Sequence, residues 1–252
     1  MPRRLIVTAD DVGLHPGMTE GAIRAHRNGI VTACSVVANG RAYEDAVARL
    51  RDAPTLDVGV HLTLVEEQSL TGMRFTKKYT SFVPLYLARA VSMRDVEREL
   101  RAQIERVLQS GLTVTHLNGH QHLHLLPRVF AIVARLAKEL GIRYVRIVDE
   151  KGEGGLARRL PIAALSFLGR RARAPFTNDR TIGVHEAGHL HVIAPLFDGV
   201  EGLTELVTHP GVGVDGYDWA YEWDAETRAL CDPRLRPALA ERGIELISPR
   251  HI

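Results

Sequence analysis

"LTVTHLNGHQHLHLLPRVFAIVARLAKELGIRYVRIV", residues 112–148, contains one complete unit of the plan on which the chain is built. Apolar and β-branched residues from Leu112 to Leu117 read as a short buried strand, and a turn rich in histidine follows it. Pro127 stands where the first turn of a helix tolerates proline, and Gly141 ends the amphipathic stretch that continues to Leu140. A second strand then begins at Arg143.

The same alternation extends in both directions. Strands are expected at residues 5–9, 31–38, 56–64, 112–117, 143–148, 181–184, 203–208 and 244–248, and helices at 16–27, 42–51, 93–109, 127–140, 156–170 and 237–241. The helix at 93–109 is the clearest, with Val96, Leu100, Ile104, Val107 and Leu108 forming one apolar stripe before Gly111. Strands that alternate with helices predict a parallel sheet. Seven or eight such units predict a (β/α) barrel of the TIM kind. A chain of 252 residues suits one such barrel, so a single domain over residues 1–252 is expected. Two stretches break the rhythm. Residues 66–91 are too long for an ordinary connection and read as a lid or insertion, and residues 211–224 carry four aromatics among Gly and Asp.

The bulk properties exclude several classes. A net charge of +2, with 32 basic residues scattered among 30 acidic ones, offers no patch for nucleic acid. Cys34 and Cys231 imply no disulfide framework. The start "MPRRLIVTADD" lacks the apolar core of a signal peptide, and no apolar run approaches the roughly 20 residues of a membrane span. A cytoplasmic protein without a transmembrane segment is the expectation. A homodimer is expected only from the general frequency of two-fold assemblies.

Enzymes on parallel sheets build their sites at the carboxyl ends of strands. Here the first strand ends in Asp10-Asp11, the third carries His61, the fourth runs into His116, His120, His122 and His124, and the seventh runs into His209. Each has a plain structural reading when taken alone. Asp10-Asp11 could cap a helix, His61 could be a hydrogen-bonded core residue, "HLNGHQHLH" a polar turn, and His209-Pro210-Gly211 a bend. Their shared position on successive βα units gathers them on one face. One Asp and two His with open positions suit a hydrolytic divalent metal, a nearby carboxylate can take a proton from water, and a further His can donate to a leaving nitrogen. Amide hydrolysis fits that set.

"LIVTADDVGLHPGMTEGAIRAHRNGIVTACSVVANG" resembles the opening of the YdjC family of carbohydrate deacetylases. "VGVHLTL", "THLNGHQHLHLLPRVF", "YVR", "TELVTHPG" and "DPRLRPALAERGIELIS" match in order, leaving out residues 66–91 and parts of 151–202. The resemblance implies a distorted barrel like that of polysaccharide deacetylases, one divalent metal ion (Mg²⁺ or Zn²⁺), and an N-acetylated sugar as substrate. It further implies Asp11, His61 and His120 as ligands, Asp10 as base and His209 as acid. His122 and His124 are expected to support the ligands or touch substrate, and Arg146 to reach the sugar or a neighbouring carboxylate. The resemblance alone, and not the residues, separates the roles of Asp10 and Asp11, and the chain must turn there if both are to serve.

Two positions depart from the pattern. Asn118 stands where the family's "HxDSHQH" stretch has Asp, and Thr8 where Asn is common. An Asn there would orient a ligand imidazole without charge and leave it less basic. The substrate beyond the acetyl group is open: diacetylated chito-oligosaccharides and an N-acetylglucosaminyl hopanoid both fit, and "GRRARAPFTNDRTIGV" resembles the hopanoid-associated branch. Two rival readings differ in kind. His185-Glu186-Ala187-Gly188-His189 matches the HExxH pattern of zinc hydrolases, though Gly188 weakens the helix that pattern needs. A non-catalytic module could instead bind an acetylated sugar by stacking it on Trp219, Tyr221 and Trp223.

Overall fold

The computed structural model describes residues 2–150, 156–173 and 176–252. Within them the eight expected strands form: β1 (Arg3–Val12), β2 (Ala33–Val36), β3 (Asp57–Leu62), β4 (Val114–Gly119), β5 (Tyr144–Val145), β6 (Arg180–Ile182), β7 (Leu203–Thr208) and β8 (Ile244–Leu246). The sheet runs β5-β4-β3-β2-β1-β7-β6, with parallel pairing throughout. β1 is long enough to take two neighbours on one flank. Its Arg3–Leu5 segment pairs with β8, and its Thr8–Val12 segment pairs with β2.

The curled sheet does not close by a backbone ladder. β5 and β6, its two edges, are only 2 and 3 residues long, and side-chain bonds with isolated backbone bonds bridge the seam between them. The Asn178 amide accepts from Ile147 N–H at 2.8 Å and donates to Ile147 C=O at 3.0 Å, while Thr181 N–H donates to Asp149 C=O at 3.1 Å. An amide side chain thus replaces a strand residue where the predicted 143–148 strand has left the ladder. The barrel's distortion is concentrated at this seam.

Inside the curl, side chains alternate by the strand period of two and stack in layers. The lowest layer is apolar, formed by Ile6, Ala33, Tyr144, Leu203 and Ile247. Above it lie Thr8, His116, Arg146 and Glu205, all fully buried. Gly59 is required at that level, because a Cβ there would stand 2.4 Å from the His116 ring. Asp10, Ser35, His61 and Asn118 form the top layer, at the carboxyl ends of the strands.

The helices are α1 (Pro16–Asn28), α2 (Tyr43–Arg51), α3 (Tyr79–Leu87), α4 (Met93–Gln109), α5 (Pro127–Glu139), α6 (Leu156–Ala172), α7 (Trp223–Leu230) and α8 (Leu235–Glu241). α4 buries the expected stripe from Val96 to Val107 and adds two polar anchors. Its Glu99 accepts from Leu70 N–H, Thr71 N–H and the Thr71 hydroxyl, and its Gln103 bridges both backbone groups of Thr63. These bonds hold down residues 66–91, which are not structureless. α3 lies within them and buries Phe82 and Tyr86 in the core. α7 is a second helix that the aromatic, Gly-rich context concealed. Residues 151–155 and 174–175, within the 151–202 stretch that the resemblance covers only in part, lie outside the described residues.

Candidate metal centre and active site

β1 delivers both aspartates because the backbone departs from a strand there. Asp11 has φ 64°, in the left-handed region, and the register with β2 shifts between Ala9 and Val12. A non-glycine residue in that region costs on the order of 1 kcal/mol. The bulge breaks the strand alternation and brings consecutive carboxylates to the same cluster. Neither caps a helix: the N-cap of α1 is His15, whose Nδ1 accepts from Gly17 N–H at 3.0 Å.

Asp11, His61 and His120 come together at the strand ends, buried, with one donor atom of each within 4.8 Å of the others. Asp11 Oδ1 lies 3.2 Å from His61 Nε2 and 3.1 Å from His120 Nδ1. β3 and β4 are registered so that His61 faces Asn118, and the His61 Nδ1–H donates to Asn118 Oδ1 at 2.7 Å. Asn118 then donates from Nδ2 to Asp10 Oδ1 at 3.0 Å. The amide at position 118 thus links the His61 ring to Asp10.

Asp10 is held on several sides. Its Oδ1 accepts from Ser35 Oγ at 2.8 Å and from Arg146 Nη2 at 2.9 Å, and its Oδ2 accepts from Arg146 Nη1. The other side of Arg146 binds Glu205, through Nε at 2.9 Å and Nη2 at 2.7 Å. Glu205 also accepts from Thr8 Oγ1 at 2.6 Å and from the Tyr144 hydroxyl. Burial opposes ionisation of Asp10, but the guanidinium of Arg146, followed by His61, holds its carboxyl well below the usual carboxylate range. Burial likewise opposes a charged His120, but the adjacent Asp11 carboxylate and a contact to Glu66 raise its pKa to about 10 in the metal-free protein.

Not every expected residue meets the cavity. Its roughly 450 Å³ are lined by Asp10, Asp11, His61, His120, His122 and His209. Arg146 is fully buried and reaches two carboxylates, not the space a sugar would occupy. His124 lies beneath, with its Nε2–H donating to the Arg146 carbonyl at 2.9 Å, and burial lowers its pKa to about 4. His122, with φ 53°, does face the cavity. His209 Nε2 is 4.0 Å from Asp11 Oδ2, and burial holds the ring below the ordinary histidine pKa. The HExxH segment forms a turn rather than a helix. Gly188 has φ 77°, which breaks the i, i+4 geometry that this zinc reading requires.

Ser35, Glu66 and Glu205 were not evident as participants from the sequence, whereas Trp219 and Tyr221 were singled out only as sugar-stacking residues. Glu66, from the insertion, lies 3.3 Å from His120 Nε2. Trp219 stacks on the His120 ring at 5.5 Å, and Tyr221 meets the His209 ring edge-on at 5.1 Å. Trp223, half-buried, packs with Trp219 and Tyr217 against Leu14 and Met18 and does not line the cavity. The opposite cavity wall is apolar, made by Val83 of α3, by Leu123 and Leu126, and by Ala164, Leu165 and Leu168 of α6.

The curled, incompletely closed parallel sheet recurs among solved carbohydrate esterases. The family 4 carbohydrate esterase from Streptomyces lividans superposes over 98% of this chain and 94% of its own, with a TM-score of 0.50 and 14% identity. An Enterococcus faecalis protein provisionally described as cleaving cellobiose phosphate superposes over 100% and 99%, with a TM-score of 0.78 and 23% identity. At these identities the likeness establishes the fold. The YdjC-like protein model matches residues 4–241, and the chain belongs to the YdjC family. Among its relatives, the carbohydrate deacetylase of Geobacillus stearothermophilus is 34% identical over 99% of this chain and 98% of its own. The chitooligosaccharide deacetylase of Citrobacter koseri is 32% identical over 98% of each.

Proposed function

We propose that this protein is a metal-dependent carbohydrate N-deacetylase, which hydrolyses the acetamide of an N-acetylglucosamine-type group to acetate and a free amine. The observation that carries the reading is the Asp11-His61-His120 cluster with Asp10 fixed beside it and His209 on its margin. The names of the relatives agree with it.

The donor set fits a divalent ion. His61 presents Nε2 with its other nitrogen held by Asn118, and a buried Asp11 stands between two imidazoles. Two imidazoles and one carboxylate favour Zn²⁺ or a similar borderline ion over Mg²⁺. When bound, such an ion supplies Lewis acidity to the acyl oxygen and to water. The rest falls to the chain. Arg146 keeps Asp10 ionised and immobile, and Asp10 Oδ2, with Arg146 Nη1 as its partner, retains capacity to accept a proton from water. His209, whose burial weakens its hold on a proton, is placed to donate one to the departing nitrogen.

The cavity wall also bears on substrate. Val83, Leu126, Leu165 and Leu168 offer no hydrogen bonds to sugar hydroxyls. They favour an acetylglucosaminyl group carried on a lipid over a free chito-oligosaccharide. Acetate release by the metal-loaded protein, from N,N′-diacetylchitobiose and from a lipid-linked N-acetylglucosamine, tests both levels, with Asp10→Asn and chelated protein as controls. Metal-dependent release that Asp10→Asn lowers by about 10²-fold or more supports the reaction, and faster turnover of the lipid-linked compound supports the substrate. Sugar binding with no acetate release from either compound would instead leave a binding module.

A further inference from the structure

The turn that fails as a zinc helix contributes to a different cluster. His189 Nδ1 lies 3.1 Å from Glu222 Oε2, and His191 Nε2 lies 2.7 Å from the same oxygen. One donor atom from each of the three residues falls within 4.8 Å of the others, the same closeness found at Asp11, His61 and His120. Unlike that site, this one is open to water: the side chains of His191 and Glu222 are 51% and 52% exposed.

We infer that His189, His191 and Glu222 form a second cation site, specific for Zn²⁺-class transition ions, that fastens the turn at 185–191 to the aromatic loop over the active site. Two imidazoles and a carboxylate suit zinc, nickel or copper and suit magnesium and calcium poorly. The ligands are organised in advance by backbone contacts. Glu222 N–H donates to Gly188 C=O at 2.7 Å, joining two segments more than 30 residues apart in sequence. Gly188 brings them that close, since a Cβ there would stand 2.2 Å from the Tyr221 ring. Ordering a cation among ligands already held in place saves much of the entropy that usually weakens exposed sites.

The position gives the site a role. Tyr221 adjoins Glu222 in sequence, lines the cavity, and contacts the His209 ring. A cation on Glu222 therefore restrains the ring that packs against the proposed acid. Trp219 and Trp223 lie 5.6 and 5.8 Å from Tyr221, so the restraint reaches both tryptophans. The cation site itself stands apart from the deacetylase reading, because its three ligands are none of the proposed metal or proton-transfer groups; only its effect on His209 rests on that reading.

The test is Zn²⁺ binding to the full chain, stripped of metal and dialysed against stepped free zinc, with tryptophan emission followed at each step. Parent, His189→Ala/His191→Ala, Glu222→Gln and His120→Ala proteins are compared. The parent is expected to bind one more equivalent than the double variant, and the emission change at that step to vanish in the double variant and weaken in Glu222→Gln. Mg²⁺ in place of zinc should leave that step absent. Equal zinc content and equal emission in parent and double variant would overturn the proposal. Failure of the Asp11-His61-His120 reading is separately visible, as full zinc content in His120→Ala.

Discussion

Arg146→Met removes the guanidinium that separates two buried carboxylates and leaves a side chain of similar length. Arg146 is 0% exposed and donates four hydrogen bonds, two to Asp10 and two to Glu205. Truncating one partner of such a buried network typically costs about 3–5 kcal/mol, since the remaining charges keep their desolvation and lose their compensation. For a chain of this size each kcal/mol lowers the unfolding midpoint by about 2–4 °C, so a loss of roughly 6–20 °C is expected. The loss must depend on pH. In the parent, Asp10 is depressed below its ordinary value of 3.8, so its stabilising contribution is full above that value and disappears as pH falls through the lower, folded-state value. In the variant, burial acts on Asp10 without the guanidinium, its pKa rises, and keeping it ionised at neutral pH becomes destabilising. The gap between the two proteins should therefore be wider at pH 8 than at pH 5, measured by thermal unfolding with chelator present so that metal does not contribute. Arg146→Lys, which keeps a positive charge, should recover part of the gap. Midpoint losses equal at the two pH values, or below about 1 kcal/mol in total, would show that the carboxylates find other compensation and that this account of Asp10 is wrong.

Other consequences are more local. His120→Ala should bind metal at the Asp11 cluster far more weakly while keeping the parent's circular dichroism; unchanged metal content would remove His120 from the ligand set. Gly59→Ala places a methyl group against the His116 ring, and overpacking of about 1–3 kcal/mol should appear as a lower denaturant midpoint, with an unaltered midpoint arguing against the layered interior. Leu165→Glu, on the apolar wall, should raise KM for a lipid-linked acetylglucosamine and leave kcat on diacetylchitobiose near the parent's. Equal effects on both compounds would mean that the wall does not meet the lipid.

What could be read from the chain followed a physical divide. Strand ends were legible because a parallel sheet buries both faces, so a β-branched run that closes in Asp10-Asp11, or in His209, marks a carboxyl end. The side chains between strands were not. Glu205 sits in "LTELVT" as the one charged residue in a six-residue strand, and only the register with Ile6 and the reach of Arg146 reveal a buried counter-charge. Ser35 and Glu66 are ordinary residues until β2 and the insertion place them near Asp10 and His120. α3 escaped notice because it is short, contains Pro84 and has no capping side chain. α7 begins at a tryptophan, within a stretch whose Gly and Asp suggested a loop. The aromatics there divided in a way composition could not express: Tyr221 lines the cavity, and the half-buried Trp223 packs on Leu14 and Met18.

The seam at Asn178 has a consequence for how such a protein can diversify. Residues of the proposed chemistry come from β1, β3 and the positions just after β4 and β7, whereas the apolar wall comes mainly from α3 and α6, with Leu123 and Leu126 added by the turn that also carries His120. A fully hydrogen-bonded ring would transmit a change in any strand to all the others. Here the ring is interrupted between β5 and β6, next to α6, so a segment inserted or reshaped at the gap is free to alter the compartment beside Asp11, His61 and His120 without passing through a strand ladder. Under the proposed function, the strand ends carry the cleavage chemistry, and the helices beside the gap meet what the cleaved group is attached to.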